Sequence, residues 1–180
     1  MNKVFIDIGA FDGQETYWAL QHGYDVYAYE PNLSYAPFLM QYMSAAHVTL
    51  AAAWDCDGWA PFYDSRDVFN IGASLYQEKE HAQSEPRIVR TVNIGRDLNQ
   101  LGRPIDIIKI NAEGAEWRIL SSIAAHFRDN YFTRIGRIFV EDHSGKIKSA
   151  TWEQEREAAL SLWGPKLEPW LEMLTLEGLR

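Results

Sequence analysis

Residues 3–14 decide the fold: in KVFIDIGAFDGQ, a short apolar run leads directly into a turn that contains two glycines. Residues 3–8 predict a first strand that ends at Gly9, and residues 13–21 predict a helix. The next apolar run, residues 25–29 (DVYAY), predicts a second strand. Because such runs are apolar on both faces and are separated by a helix, they are typical of parallel strands that are covered on both sides.

The same alternation of strands and helices continues along the chain. Residues 33–45 predict a second helix, and residues 47–53 predict a third strand. Further on, the runs at 105–110 (IDIIKI) and 135–140 (IGRIFV) predict two strands separated by a helix at 115–127. This order predicts an α/β protein: a three-layer αβα sandwich with a mostly parallel, Rossmann-like sheet.

Two regions depart from the alternation. Residues 57–96 are interrupted by glycine and proline, and we interpret them as an insertion of short strands and a mobile loop, or lid. Residues 150–180 predict a C-terminal helical segment, with Thr151 as N-cap and Gln154 at the capping-box spacing. For the stretch after residue 165, helix and strand both remain open.

The composition excludes several classes of protein. The 180 residues suit one domain, residues 1–180, and 47% of them are apolar, which excludes a disordered chain. Cys56 is the only cysteine, so a disulfide scaffold is excluded. The net charge of −8 argues against nucleic acid as a partner, and no apolar run approaches the roughly 20 residues of a membrane span. The short N-terminal apolar run does not resemble an export signal, so we expect a cytoplasmic protein.

The turns that follow the first two strands predict a cofactor site. Ligands of parallel sheets bind beyond the carboxyl ends of the strands. Gly9 permits a tight turn there, and Gly13 permits close approach to the backbone. Glu30 ends the second strand at the spacing of about 20 residues from the glycine turn at which a carboxylate binds a ribose diol. The sequence therefore predicts a cofactor that contains a nucleoside.

The glycine turn favours S-adenosylmethionine over NAD. A dinucleotide turn carries the pattern G-x-G-x-x-G, whereas this chain places Ala10 and the bulky Phe11 where a pyrophosphate would pack. S-adenosylmethionine has no phosphate, and Asp7 offers a carboxylate to its ammonium group. Asp55 could contact the adenine, although a plain turn role is equally open. The predicted cofactor-binding residues are Asp7, Gly9, Ala10, Gly13, Glu30, Pro31, Asn32 and Asp55.

Five motifs carry a family resemblance. DIGAFDGQ at 7–14, YEPN at 29–32, AWDCDG at 53–58, ASLY at 73–76 and IKINAEGAE at 108–116 resemble the FkbM family of S-adenosylmethionine-dependent methyltransferases. The resemblance implies a class I methyltransferase fold and methyl transfer, usually to a hydroxyl oxygen. The chain departs from the family pattern in two ways: Asn111 stands where the family has Asp, and the usual C-terminal antiparallel hairpin is expected to be reduced or absent.

The predicted catalytic residues follow the last two strands of the predicted sheet. An alcohol acceptor must lose its proton, and His143 is our predicted general base because histidine titrates near neutrality. Asn111 would orient either the cofactor's methionine end or the acceptor, and Glu113 would bind the acceptor or support the following helix. We predict no metal site, because residues adjacent on a strand, such as Asp142 and His143, point to opposite faces.

The leading functional hypothesis is an O-methyltransferase that acts on a small molecule or a saccharide. Asn111 keeps a second hypothesis open, a methyltransferase-like protein that binds the cofactor without catalysis. An NAD or nucleotide-sugar enzyme on the same kind of sheet is the third. We expect no nucleic-acid or membrane partner, and a homodimer would be one way to close the acceptor pocket.

Overall fold

The computed structural model describes residues 2–66, 72–82, 85–170 and 173. Within them the strands are β1 (Val4–Ile8), β2 (Asp25–Tyr29), β3 (His47–Thr49), β4 (Ala52–Trp54), β5 (Gly58–Phe62), β6 (Arg87–Asn93), β7 (Ile105–Ile110), β8 (Ile135–Val140) and β9 (Leu167–Pro169). The α-helices are α1 (Gln14–Gln21), α2 (Ala36–Met40), α3 (Ile94–Gln100), α4 (Glu116–Phe127), α5 (Tyr131–Arg134) and α6 (Ala150–Trp163). Short 3-10 helices occur at Leu33–Tyr35, Arg128–Asn130 and Gly164–Lys166. None of the described helices is long and apolar enough to cross a membrane.

The main sheet has six strands in the order β3-β2-β1-β7-β8-β9, and every neighbouring pair in it is parallel. The chain leaves β1 on one side towards β2 and returns on the other side as β7. The strand order therefore reverses between β1 and β7, and the crevice above this point is where such sheets bind ligands. The predicted Rossmann-like architecture is confirmed.

Helices cover both faces of the main sheet. One face packs against α3, α4 and α6 through a buried apolar cluster that includes Ile6, Ile8, Ile108, Leu98, Trp117 and Trp163. The opposite face packs against α1 and the C-terminal segment through a second cluster that includes Phe5, Ile107, Phe139, Trp18, Ala19 and Met173. Because strand side chains alternate between the two faces, neighbours such as Phe5 and Ile6 enter different clusters. The three-layer arrangement is thus confirmed.

The predicted third strand, residues 47–53, is in fact two strands in two sheets. β3 extends the main sheet beside β2, and β4 belongs to a second sheet of order β4-β6-β5. The chain turns between them where Ala51 N donates to Thr49 O at 3.0 Å. The predicted helix over 33–45 is also shorter, because the hydrogen bonds beyond Met40 are those of turns, such as Met43 N to Met40 O at 3.2 Å.

Residues 57–96 contain more regular structure than expected. β5 and β6 pair antiparallel, while β6 and β4 pair parallel, so most of the second sheet lies in this region. Helix α3, which the sequence analysis did not predict, begins directly after β6. Asn93 caps it by accepting a hydrogen bond from Arg96 N at 2.9 Å, a sequence signal that was available.

The C-terminal region corrects two further expectations. The N-cap of α6 is Ser149, not Thr151. After α6, β9 adds to the main sheet parallel to β8, so residues 150–170 are not wholly helical, and the described residues of this C-terminal region form no antiparallel hairpin. For the rest of the stretch after residue 165, the choice between helix and strand stays open, because Leu171, Leu174 and Leu176 lie outside the described residues.

Replacing Ser149 by alanine should lower the free energy of unfolding by about 0.5–1 kcal/mol, because Trp152 N, 3.5 Å from Ser149 Oγ, would lose its acceptor. Urea denaturation measures this change. The matched control is Thr151→Ala, at an exposed position inside the first turn. A larger loss for Thr151→Ala than for Ser149→Ala would contradict the observed cap.

Candidate functional site

A cavity of about 370 Å³ opens at the carboxyl ends of β1, β2 and β7, where the strand order reverses. Its size lies in the range of small-molecule and cofactor sites. The turns after these three strands form its floor. The remaining walls come from the second sheet, the segment 72–75 and the C-terminal segment, through Ala52, Ala53, Phe62, Gly72, Ala73, Leu75 and Trp170.

Gly9 brings two strand ends into contact. Its φ angle is +73°, and a Cβ atom built on it would lie 1.8 Å from Asn111 O, at the end of β7. A side chain at this position would therefore collide with backbone. Gly9 lines the cavity, and both Gly9 N and Ala10 N donate to Tyr29 O, which sets the turn after β1 beside the end of β2.

Ala10 and Gly13 do not line the cavity. Ala10 is fully buried in a small apolar cluster with Ala28 and Leu39. Gly13 has a φ angle of +84°, and a Cβ atom there would lie 2.8 Å from the ring of Tyr42. Both residues are small because the helix and the turn pack closely, which differs from the predicted contact with a cofactor.

Asp7 is paired beneath the cavity rather than exposed in it. Its side chain is completely buried, accepts a hydrogen bond from Thr16 Oγ1 at 2.7 Å and lies 3.0 Å from Lys109 Nζ. Lys109 Nζ also donates to Gly9 O at 2.6 Å. Burial alone would lower the pKa of Lys109, but the carboxylates of Asp7, Glu15 and Glu30 together outweigh burial and raise it. Asp7 is thus not placed to bind the ammonium of a ligand, whereas Lys109 lines the cavity.

Glu30 joins the first two turns of the site. Its carboxylate is only 6% exposed and accepts hydrogen bonds from Phe11 N at 2.9 Å and from Asn32 N at 2.7 Å. Burial raises the pKa of Glu30 despite these hydrogen bonds. Each carboxylate oxygen keeps a further acceptor position. Glu30, Pro31 and Asn32 all line the cavity, as Gly9 does, so four of the residues predicted to bind the cofactor lie together.

Asp55 lies outside the cavity. It follows β4, and its carboxylate accepts a hydrogen bond from Arg118 Nε of α4 at 2.8 Å. Its carbonyl oxygen accepts a second bond from Asn93 Nδ2 at 2.7 Å. Asp55 therefore connects the second sheet to α4, which fits the turn role left open for it rather than an adenine contact.

The turn after β7 brings Asn111 and Glu113 into the cavity wall. Asn111 Oδ1 is buried and meets no hydrogen-bond partner among the described residues. Glu113 has a φ angle of +54°, and its carboxylate contacts Lys79 Nζ and lies 3.1 Å from His143 Nε2. Burial alone would raise the pKa of Glu113, but His143 and Lys79 outweigh it and hold the pKa at about 2.

His143 is completely buried among carboxylates and does not line the cavity. Its Nδ1 lies 2.9 Å from Glu116 Oε1, and its Nε2 lies 3.1 Å from Glu113 Oε2 and 3.5 Å from Glu141 Oε1. Burial alone would lower the pKa of His143, but the carboxylates of Glu113 and Glu116 raise it to about 10. At neutral pH the ring is a cation with no free lone pair. The geometry does not suit the predicted role of general base.

The sequence matches the family described as the methyltransferase FkbM domain over residues 7–164. The chain belongs to the FkbM methyltransferase family. The search of curated proteins and the search of solved structures found no match. The matched residues include the three turns that form the floor of the cavity, so in this FkbM methyltransferase the floor of the candidate site lies within the family domain, whereas Trp170 of its wall lies beyond the matched residues.

Sequence reasoning missed several residues that shape the site of this FkbM methyltransferase. Glu116 is fully buried and accepts hydrogen bonds from Ala112 N at 3.0 Å and Gly114 N at 2.9 Å, so it holds the turn after β7 as Glu30 holds the first two turns. Lys109 carried a signal, a single charge inside an otherwise apolar strand. Lys79, which contacts Glu113 from a distant segment, carried none.

A metal ion has no evident place in the described part of this FkbM methyltransferase. No three His, Cys, Asp or Glu side chains among the described residues are arranged to hold one. Asp142, which neighbours His143 in sequence, is instead paired with Arg156 at 2.8 Å.

Proposed function

We propose that this FkbM methyltransferase binds S-adenosylmethionine in the cavity and transfers its methyl group to a hydroxyl oxygen of a small molecule or saccharide. Family membership supports methyl transfer in general. The observation that carries the choice of cofactor is Glu30, a buried carboxylate at the end of β2 that faces the same cavity as Gly9. The bound cofactor supplies a methyl group that is already activated by its sulfonium, so the task of the protein is alignment.

The residues of the cavity suit the parts of this cofactor. The carboxylate of Glu30 has acceptor positions left for ribose hydroxyls. Ala52, Phe62 and Leu75 give the cavity an apolar wall against which an adenine ring can pack. At the other end, Asn111 Oδ1 is a buried acceptor without a partner in the described residues, which suits an ammonium donor.

The charge of the cavity also favours S-adenosylmethionine over the NAD alternative. The cavity is lined by four acidic residues, Asp12, Glu15, Glu30 and Glu113. Among the described residues that line it, Lys109 is the only cation, and Lys109 is already paired with Asp7. Such a surface favours a positively charged sulfonium and disfavours a pyrophosphate.

The proton of the acceptor hydroxyl needs a different base from the one predicted. Because His143 is a buried cation, we assign this task to Glu15, which lines the cavity. Burial raises the pKa of Glu15, which makes it a better proton acceptor than Glu113, whose pKa is about 2.

Isothermal titration of the full chain with S-adenosylhomocysteine tests the proposal. We expect one molecule to bind per chain and NADH to give no comparable heat, because the cavity is acidic. Circular dichroism on the same sample provides the control for folding. A folded protein that gives no heat with S-adenosylhomocysteine would refute the choice of cofactor, and tight binding of NADH would favour the alternative.

A second candidate function, cofactor binding without turnover, is favoured by Asn111. This residue replaces the carboxylate of the family pattern at the end of β7. Radiolabelled S-adenosylmethionine and a panel of hydroxylated acceptors distinguish the two functions. Transfer of label to any acceptor supports the enzyme, and binding without transfer across the panel supports the second candidate.

A further inference from the structure

Asn32 combines deep burial with an unused hydrogen-bond donor. It lies two residues after Glu30 and lines the cavity, and the residue is only 2% exposed. Its Oδ1 accepts hydrogen bonds from Ser34 N at 3.1 Å and from Arg87 Nη2 at 2.7 Å. Its Nδ2 meets no acceptor among the described residues.

The two bonds to Oδ1 fix the orientation of the amide. Both partners, Ser34 N and Arg87 Nη2, are donors, so a flipped amide would set its NH₂ group against two N–H groups. The oxygen has both acceptor positions filled, and only the Nδ2 donor remains. A buried donor without a partner is destabilising, so such a group in a natural protein calls for an explanation, and a functional role is one.

Arg87 is itself held from two sides. It lies on β6 in the second sheet, its Nε donates to Asp64 Oδ1 at 2.9 Å, and its guanidinium lies 5.1 Å from the centre of the Phe62 ring. Phe62 lines the same cavity. Arg87 therefore connects the second sheet to the turn after β2, and its contact with Asn32 is part of a fixed arrangement.

We propose that Asn32 Nδ2 donates a hydrogen bond to a ring nitrogen of the cofactor's adenine, and that Arg87 is a positioning residue that fixes this donor. The inference rests on the proposed function. If Glu30 takes the ribose, Asn32 lies beyond it on the side away from Asn111 and Glu113, where the base belongs. A side chain with only a donor left matches a ring nitrogen, which accepts, and not the exocyclic amino group, which donates.

The test is a double-mutant cycle on the full chain, with S-adenosylhomocysteine as the titrated probe. Asn32→Ala should weaken its binding about tenfold, the effect of one hydrogen bond. Arg87→Met, which retains packing on Phe62, should weaken it by a similar or smaller factor. Because Arg87 acts through Asn32, the double variant should bind no more weakly than Asn32→Ala alone.

Three further variants separate positioning from general damage. Asn32→Asp keeps the shape and the bond to Arg87 but replaces the donor by an acceptor, so it should bind at least as weakly as Asn32→Ala while remaining folded. Arg90→Met removes an exposed arginine from the same strand and should leave binding unchanged. Arg87→Lys, which keeps a donor, should recover part of the loss seen with Arg87→Met.

The adenine contact is tested with the 1-deaza, 3-deaza and 7-deaza analogues of S-adenosylhomocysteine. One of them should bind the wild type about tenfold more weakly and show no additional loss with Asn32→Ala. If no analogue behaves so, if the losses in the double variant add, or if Asn32→Asp binds normally, the inference is overturned while the proposed function stands. If the wild type does not bind S-adenosylhomocysteine, the proposed function fails and the inference with it.

Discussion

Replacing Glu30 by alanine should weaken the binding of S-adenosylhomocysteine about 100-fold. The carboxylate is buried at the end of β2 and faces the cavity, where we propose that it accepts a ribose hydroxyl. A charge-assisted hydrogen bond of this kind contributes about 1.5–3 kcal/mol, which spans roughly one to two factors of ten in affinity. The upper end is expected because the substitution also disturbs the turns that contact the ligand. Isothermal titration measures the change.

The same substitution should reduce stability, and the two effects need to be separated. Glu30 accepts hydrogen bonds from Phe11 N and Asn32 N, and a buried N–H that loses its acceptor costs about 1–3 kcal/mol. Titration should therefore be done well below the melting temperature of the variant. Glu153→Ala is the matched control, since Glu153 is exposed on α6 and does not line the cavity. A folded Glu30→Ala variant with unchanged affinity would show that the ribose lies elsewhere.

The strands that the sequence predicted well are those whose side chains are buried on both faces. The predictions for β1, β2, β7 and β8 agree with the structure to within one residue, because in a two-sided sheet the apolar run and the strand coincide. The run over residues 47–53 was equally apolar, yet it divides between two sheets. A strand joins one sheet or another according to its partner strands elsewhere in the chain, here β2 and β6. The residues of the strand itself do not identify those partners.

For the site, the predictions that agree with the structure are likewise those that depend on the order of the strands. Gly9, Glu30, Asn32, Asn111 and Glu113 were predicted from chain order alone and line one cavity, because the carboxyl ends of parallel strands meet at one edge.

The two predicted residues whose surroundings differ most, Asp7 and His143, are ionisable groups paired with distant residues. Lys109 is 102 positions from Asp7, and Glu116 is 27 positions from His143. A motif shows that a charge is present at a strand end but not whether another buried charge already neutralises it. The predicted roles of Asp7 and His143 both assumed that the side chain has no partner within the protein.

Replacing His143 by leucine should lower the free energy of unfolding by about 3–5 kcal/mol at pH 6.5, the usual cost of removing one partner of a buried ion pair. The substitution would leave the carboxylate of Glu116 buried without its cation, and that of Glu113 with only Lys79. Urea denaturation followed by circular dichroism measures the change. His47→Leu is the matched control, because that histidine is largely exposed and lies 3.7 Å from Asp25.

The pH dependence distinguishes loss of this charge from loss of packing. In the folded protein the carboxylates of Glu113 and Glu116 raise the pKa of His143 to about 10, from an ordinary value of 6.5. The stabilisation from the protonated ring is therefore complete below pH 6.5 and is lost as the pH rises towards 10, by at most about 1.4 kcal/mol per pH unit. The difference in unfolding free energy between the wild type and His143→Leu should shrink over this interval. A difference that stays constant from pH 6.5 to 9.5 would mean that His143 is neutral in the folded protein, and its role as a proton acceptor would then have to be reconsidered.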